Sequence, residues 1–254
     1  MNQLLTVKNL TVAVGPKILV NDVSFDVEQG KIMAIAGGSG SGKTTISLSI
    51  LRLLPQALRV NQGQIIFEGH DLLTLDHEAL RQRRGGRIGM VFQEPLSAFD
   101  PLFTIGQQID ETLAAHTHLT KQERYKQTLD VLAQVELSDP KRAYQSYPHQ
   151  LSGGMRQRAM IALSLACQPS LIIADEPTSN LDVTLQVKIN EIFRALKRKN
   201  ISTLLITHDL GMIGQLADEV VILRQGNMVE KGSVLKVIAT PSDPYTKQLV
   251  EAFQ

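Results

Sequence analysis

The chain has 254 residues, 43% of them hydrophobic, with 26 basic and 25 acidic side chains and a net charge of +1. This length allows one large domain or two small ones, and the even charge balance excludes a strongly basic nucleic-acid or lipid-binding protein. The single cysteine, Cys167, cannot form an intrachain disulfide, and we expect it to be a buried apolar side chain. Neither a signal peptide nor an apolar run of about 18 residues is evident, so contact with a membrane is expected only through a partner.

The first part of the chain predicts strands followed by a glycine loop and a helix. Residues 4–28 alternate in polarity and predict two antiparallel strands that turn near "GPK". Residues 32–36 predict a short apolar strand that ends in glycines, and a helix is expected from Lys43 to a point before Pro55. Residues 87–92 predict another strand.

The middle of the chain, from residue 93 to 149, has helical periodicity. "TKQE" at residues 120–123 has the spacing of a capping box. The helix that follows has an apolar face that we assign to the core: Tyr125, Leu129, Leu132 and Val135.

The last part of the chain returns to alternating strands and helices. Strands are predicted at residues 171–174, 203–206 and 220–223. One helix face carries Leu185, Ile189, Ile192 and Leu196. Short apolar strands alternating with helices indicate an α/β fold with a doubly wound parallel sheet. The N-terminal strands form an antiparallel β subdomain, and the helical stretch is an inserted subdomain.

The segment "GGSGSGKTT" matches the phosphate-binding pattern G-x-x-x-x-G-K-[ST] between a predicted strand and a predicted helix. Glycines let the backbone curl around phosphates, Lys43 is placed to bridge β- and γ-phosphate oxygens, and the Thr44 hydroxyl is placed to ligate Mg²⁺. The predicted nucleotide-binding residues of this loop are Gly37, Gly38, Ser39, Gly40, Ser41, Gly42, Lys43, Thr44 and Thr45.

Two further strand ends carry candidate catalytic residues. In "LIIADEPTSNLD", Asp175 can reach Mg²⁺ through water, and Glu176 can orient an attacking water or accept its proton. Acids at a strand end are also common in solvated turns, but the phosphate loop in the same chain favours the catalytic interpretation. In "LLITHDL", His208 follows a strand, and a doubly wound sheet brings such ends to one crevice near the γ-phosphate. A lone histidine is more often structural.

Gln93 opens the loop "EPLSAFDPLF", which is rich in proline and large apolar side chains. These side chains either contact a partner or pack under the helical insertion, and composition alone leaves both possibilities open. They are Leu96, Phe99, Leu102 and Phe103.

A second glycine turn, "LSGGMRQR" at residues 151–158, lies just before another predicted helix. Backbone amides and a helix N-terminus suit an anion there, although this turn has no lysine.

In their order and spacing, these motifs resemble those of the ATP-binding subunits of ABC transporters, from about residue 4 to residue 253. In that family two cassettes face each other head to tail, and each ATP lies between the lysine loop of one cassette and the "LSGG" turn of the other.

The resemblance implies ATP and Mg²⁺ as cofactors. It implies one domain, residues 1–254, with a nucleotide-binding core at 1–92 and 159–254 and a helical subdomain at 93–158. Implied roles are catalysis for Glu176, His208 and Gln93, Mg²⁺ ligation for Thr44, Gln93 and Asp175, and contact with a partner's nucleotide for Ser152, Gly153, Gly154 and Asp182.

Within that family, "VFQEPLSAFDP", "SYPHQLSGGMRQRAMIAL" and "DPYTKQL" resemble the peptide/nickel importer group. This implies a second ATPase subunit, identical or not, two membrane permease subunits, and an extracytoplasmic solute-binding protein that acts indirectly. It also implies a peripheral position on the cytoplasmic face of the plasma membrane and no nucleic-acid partner. The apolar loop after Gln93 is then expected to meet the permease.

Three features separate the chain from the commonest patterns. Val14 occupies the position where many members carry an adenine-stacking aromatic, and Met155 replaces the common glutamine after "LSGG". Peptide importers often have a cysteine-bearing C-terminal extension, whereas Cys167 is the single cysteine of this chain. The glycine loop also resembles that of the nickel branch in having Gly38. Nickel or metal-chelate import is therefore expected, with di- or oligopeptide import as the alternative. A soluble, non-transport ABC ATPase is the alternative from another class, and "LSGGMRQR" argues against a P-loop kinase or GTPase.

Overall fold

The computed structural model describes residues 3–252, so residue 253, where the family resemblance ends, lies outside the described part. Its contacts form two compact units, residues 1–80 with 196–254 and residues 81–195. In chain order the elements are β1 (Gln3–Val14), β2 (Lys17–Glu28), β3 (Ile32–Ala36), α1 (Lys43–Ile50), β4 (Leu58–Phe67), β5 (His70–Asp71), α2 (His77–Arg83), β6 (Ile88–Val91), α3 (Pro95–Ala98), α4 (Ile105–His116), α5 (Lys121–Gln134), α6 (Pro140–Gln145), α7 (Gly153–Leu165), β7 (Leu171–Asp175), α8 (Val183–Arg198), β8 (Ser202–Ile206), α9 (Leu210–Leu216), β9 (Glu219–Arg224), β10 (Asn227–Ser233), α10 (Val234–Ala239) and α11 (Pro244–Glu251).

The first unit begins with the predicted antiparallel strands. β1 pairs with β2 on one side and with β4 on the other, so that Val7 lies opposite both Phe25 and Ile65. All three side chains are buried, which pins the register because a slip of one residue would turn them to the other face. The predicted antiparallel N-terminal subdomain is therefore confirmed.

A parallel arrangement follows in the same unit. β3 pairs in parallel with β8 and β9, with Ile35 opposite Ile206 and Val221. All five residues of β3 are buried, as expected for a parallel strand covered on both faces. β3 ends at Ala36, so the glycine loop starts directly at the carboxyl end of a central strand.

The second unit contains the parallel pair β6 and β7 and most of the helices. Ile88 lies opposite Leu171, and Val91 lies opposite Ala174. The predicted capping box of α5 is confirmed, because the Thr120 hydroxyl accepts the Glu123 amide and the Glu123 carboxylate accepts the Thr120 amide.

The predicted apolar face of α5 is only partly correct. Leu132 and Val135 are fully buried, but Tyr125 is 40% exposed. Its ring meets Tyr144 edge to face, with centroids 4.9 Å apart, at the margin of the helical region. Thr128 and Val131 take core positions instead, so the buried face is rotated relative to the prediction.

Cys167 is half-buried, and burial raises the pKa of its thiol to about 11, which keeps it protonated and unreactive at neutral pH. Within residues 3–252, no helix is long and apolar enough to span a bilayer.

Candidate functional site

The loop between β3 and α1 needs glycine at two positions. Gly37 has a φ of +154°, and a Cβ there would lie 2.2 Å from the Leu223 carbonyl oxygen. Gly42, with a φ of +101°, would place a Cβ 3.0 Å from the Leu19 carbonyl oxygen. A side chain would collide with backbone at Gly37, and at Gly42 it would be crowded and would have to adopt a disfavoured positive φ, so the tight curl depends on glycine at both positions.

Lys43 is the first residue of α1, and only 8% of its surface is exposed. Its ammonium group donates to the carbonyl oxygens of Gly37 (2.8 Å) and Gly38 (3.0 Å). The loop thus wraps around its own lysine and holds the positive charge at the loop centre, where phosphates require it.

The start of α1 is suited to an anion. Its first intrahelical bond runs from the Ile46 amide to the Gly42 carbonyl, so the Thr44 and Thr45 amides have no acceptor within the helix. Gly42 supplies no side-chain cap, and the buried Ser41 hydroxyl has no hydrogen-bond partner within the described chain. A depression of about 240 Å³ opens over residues 40–45, lined otherwise by Leu19. Amides, a lysine and an orphaned hydroxyl around an open space fit a polyphosphate.

His208 lies in the same unit as this loop. It is exposed and follows β8, which pairs with β3, and the neighbouring Thr207 amide donates to the Ile35 carbonyl. Asp209 caps α9 by accepting the Met212 amide at 3.0 Å. The structure therefore places His208 at the end of the strand beside the one that leads into the phosphate loop.

In the second unit, Asp175 ends β7 and is 3% exposed, and Glu176 follows it at 9%. Glu176 has a φ of +49°, in the left-handed region that a non-glycine side chain disfavours. The Glu176 carbonyl accepts the Ser179 amide, which closes the turn after the strand. Two acids thus stand at a strand's carboxyl end on a strained turn, and such strain clusters at functional sites.

Asp182 has a local structural role within its own unit. Its carboxylate accepts the Leu185 amide at 2.9 Å at the start of α8. Near it, the Ser179 hydroxyl is buried and has no hydrogen-bond partner among residues 3–252.

The second glycine turn forms the N-terminus of α7. Ser152 is the N-cap and accepts the Met155 amide at 3.3 Å. Gly153 is exposed, and outside its own helix a Cβ there would have no atom of the described residues within 4 Å. A Cβ on Gly154 would lie 2.6 Å from a methyl carbon of Leu185. The two glycines therefore differ, because packing within this chain explains Gly154 but not Gly153.

Hydrogen bonds join this turn and its surroundings to the β7 end. Gln157 of α7 donates to the Pro177 carbonyl at 2.8 Å, one residue beyond Glu176. Asn180 donates to the Glu94 carboxylate at 3.4 Å, next to Gln93. The second unit thus links Glu176, the α7 turn and the Gln93 loop, and the first unit groups the phosphate loop with His208.

The loop after Gln93 divides its apolar residues into two sets. Leu96, Leu102 and Phe103 are 54%, 77% and 46% exposed, respectively. Phe99 is only 5% exposed, so the expectation of a partner-facing Phe99 is wrong. Phe99 immediately follows α3, which packs against α7, and it is one of the buried core residues. Gln93 itself is exposed.

With this geometry in hand, comparison with known proteins identifies the family. Residues 20–179 match the family described as ABC transporter. The chain belongs to the ABC transporter family. Its fold is that of an ABC ATPase, the ATP-hydrolysing component of such transporters, which confirms the predicted fold class and enzyme class.

Two named relatives and one solved structure illustrate this membership. The chain is 46% identical to the "Peptidoglycan transport ATP-binding protein YejF" of Agrobacterium fabrum, over 98% of this chain and 47% of that protein. It is 43% identical to the "Dipeptide transport ATP-binding protein DppD" of Bacillus subtilis, over 98% of this chain and 76% of that protein. The ABC cassette MJ0796, solved as a dimer with ADP and Pi after hydrolysis, superposes with a TM-score of 0.80 at 28% identity. That superposition covers 91% of this chain and 98% of that one.

The names of the relatives bear on the transported solute. Relatives that share 43–46% of their aligned residues with this chain are named for peptide, dipeptide or peptidoglycan transport. The expected closeness to the nickel branch has no specific support among them, and peptide transport is supported better.

Proposed function

We propose that this chain is the ATP-hydrolysing subunit of a peptide importer, acting with a separate membrane permease. The observation that carries the ATP-site assignment is the loop at residues 37–45, wrapped around a nearly buried Lys43 beside an open phosphate-sized depression. The residues of the loop each have a role there: backbone amides and Lys43 hold the phosphates, and Thr44 offers an oxygen ligand to a cation.

Mg²⁺ prefers oxygen ligands, and each of Thr44, Gln93 and Asp175 offers an oxygen atom within its own unit. ATP and Mg²⁺, when bound, supply the transferable phosphoryl group and the positive charge that neutralises it. Glu176 then accepts the proton of the attacking water, and the backbone turn at Glu176 orients its carboxylate. His208 and Gln93 position the γ-phosphate and the water from their respective loops.

The α7 turn serves the nucleotide of a second cassette. Gly153 is exposed, and no atom of residues 3–252 outside its own helix lies within 4 Å of the position of its Cβ, so the absence of a side chain leaves room for a group from outside. Ser152, Gly153 and Gly154, with Asp182 nearby, would complete a partner's site in a head-to-tail dimer, homo- or heteromeric. The dimer of MJ0796 with ADP and Pi supports this arrangement.

The permease partner is proposed to meet the exposed part of the Gln93 loop. Leu96, Leu102 and Phe103 offer apolar surface there, with Phe99 beneath them holding the loop to the core. Two permease subunits, an indirectly acting solute-binding protein and a peripheral position on the cytoplasmic face follow from this role.

Two variants of the glycine turns test the ATP site and the dimer. Lys43→Ala should abolish ATP binding to the isolated chain, whereas Ser152→Arg should leave that binding intact and block hydrolysis. Equal loss of monomer binding in both variants would contradict the head-to-tail arrangement.

Uptake measurements test the solute. In a strain that lacks this chain, labelled di- and oligopeptide accumulation should fall and return with the wild-type gene but not with Glu176→Gln, while nickel accumulation stays unchanged. Loss of nickel uptake with intact peptide uptake would restore the metal assignment and leave the ATPase proposal standing.

A further inference from the structure

The C-terminal helix α11 reaches the phosphate loop through one side chain, Tyr245. The backbone amide of Gly38 donates to the Tyr245 hydroxyl oxygen at 2.9 Å. The two residues are 207 positions apart in sequence, and both belong to the first compact unit. Tyr245 lies within "DPYTKQL", and the resemblance to the importer group assigns it no role.

Tyr245 and Lys43 form hydrogen bonds to the same peptide group, the one between Gly37 and Gly38. The Gly38 N–H and the Gly37 C=O belong to one peptide plane, in which they point in opposite directions. Tyr245 holds the N–H, and the Lys43 ammonium group donates to the C=O at 2.8 Å. If this peptide rotated, Lys43 would lose its hydrogen bond to the Gly37 carbonyl, so a hydroxyl that fixes the N–H also helps to fix the lysine.

Tyr245 is itself held from three sides. The Arg224 guanidinium carbon lies 5.1 Å from the Tyr245 ring centroid. The ring also packs against the core cluster that includes Ala36, the last residue of β3. The Asp243 carboxylate accepts the Tyr245 amide at 2.8 Å and so caps α11.

The start of α11 is tied to β10 by Glu230. Its carboxylate accepts the Ser242 amide and hydroxyl at 2.9 and 2.7 Å and the Asp243 amide at 3.1 Å. Burial of Glu230 raises its pKa, but these hydrogen bonds outweigh that effect and lower the pKa to about 2. The carboxylate is therefore ionised at neutral pH, and the ring of Tyr245 is mounted on a fixed helix start.

We propose that Tyr245 is a positioning residue for the ATP site: its hydroxyl fixes the Gly37–Gly38 peptide and thereby keeps Lys43 oriented for the nucleotide phosphates. The inference deepens the proposed ATP site and rests on it. The contact requires a backbone N–H at position 38, which a proline at that position would lack.

The test is Tyr245→Phe, which removes one oxygen and keeps the ring, its core packing and its contact with Arg224. One net hydrogen bond corresponds to a change of about 2- to 10-fold. The Kd for a fluorescent ATP analogue and the KM for ATP should therefore rise by that factor, with kcat within about twofold of wild type. Tyr144→Phe is the matched control, because it removes the same atom from a ring in the other unit and should change neither constant.

Amide hydrogen exchange separates positioning from simple helix attachment. In Tyr245→Phe the Gly38 amide should exchange faster, while the Lys247 amide, bonded to the Asp243 carbonyl in α11, should exchange as in wild type. Wild-type ATP affinity in Tyr245→Phe, or faster exchange at Lys247 as well as Gly38, would overturn the proposal. Lys43→Ala distinguishes a failure of the proposed ATP site from a failure of the role of Tyr245. If Lys43→Ala binds ATP normally, the proposed site is wrong. If Lys43→Ala loses ATP binding while Tyr245→Phe is unaffected, only the role of Tyr245 is wrong.

Discussion

The two adjacent glycines of the α7 turn allow a sharp test of whether a second molecule approaches this turn. Gly153→Ala adds a methyl group where the part of the chain that the structure describes places no atom from outside the helix within 4 Å, and where φ is not positive. Alanine is favoured over glycine in a helix by up to about 1 kcal/mol, so the isolated chain should be as stable as wild type or slightly more stable. For a domain of this size that corresponds to a Tm change of about 0 to +4 °C.

Gly154→Ala is the matched comparison, because its new Cβ would lie 2.6 and 2.8 Å from the two methyl carbons of Leu185. Overpacking of this kind costs about 1–3 kcal/mol, partly offset by the same helix preference. We therefore expect a net loss of about 1 kcal/mol and a Tm lower by about 2–4 °C.

ATP hydrolysis should then separate stability from function. If the partner's phosphates approach Gly153, its methyl group disrupts a charge-assisted contact of about 1.5–3 kcal/mol, and steady-state ATPase activity should fall by about 10- to 100-fold. Nucleotide binding to the isolated Gly153→Ala chain should be unchanged, since its own phosphate loop is intact. Full ATPase activity in a stable Gly153→Ala protein would refute the argument that this glycine leaves room for a partner.

Three further predictions concern other parts of the chain. Glu176→Gln should retain ATP binding but lower turnover by about 10²–10⁴-fold, measured by phosphate release, because an amide cannot accept the water's proton; wild-type turnover would show that Glu176 is not the base. Phe103→Asp should weaken co-purification with the permease at an unchanged Tm, whereas Phe99→Asp should unfold the loop and lower the Tm, because only Phe99 is buried; the reverse pattern would contradict the division of the loop. Glu230 has a folded pKa of about 2 against an ordinary 4.5, so its stabilisation is complete above about pH 4.5 and is lost as the pH falls toward 2. The difference in unfolding free energy between wild type and Glu230→Gln should shrink over that interval. A pH-independent difference would show that the ionised carboxylate does not stabilise the fold.

Local sequence signals predicted the parts of the fold that local chemistry determines. The strand that ends in glycines, the helix that starts at Lys43 and the capping box of Thr120 all depend on residues within a few positions of one another, and each is present. The position of each motif at a strand or helix end was therefore accessible from the sequence.

Burial of individual loop and rim residues was not accessible in this way. Phe99 and Phe103 are four residues apart in the same loop, yet one is in the core and the other is exposed. Tyr125 carries an apolar ring at a helical spacing that predicts burial, but it lies at a margin against Tyr144. These differences depend on which distant element packs against the chain, as does the contact of Tyr245 with Gly38 across 207 positions.

Glu176 combines a left-handed backbone conformation with a buried side chain. Ten non-glycine residues within the described chain have positive φ, and Glu176 is the only one of them that is buried. At exposed turns such as Asn180 and Asn200, asparagine tolerates the left-handed region because its short side chain bonds locally. Glu68 and Glu136 share this conformation at less buried positions, whereas at Glu176 burial of the carboxylate adds a desolvation cost to the backbone strain. Glycine would relieve both at once, so neither folding nor turn formation explains a glutamate at this position. The proposed role of Glu176 as the proton acceptor accounts for both the carboxylate at the end of β7 and its strained backbone.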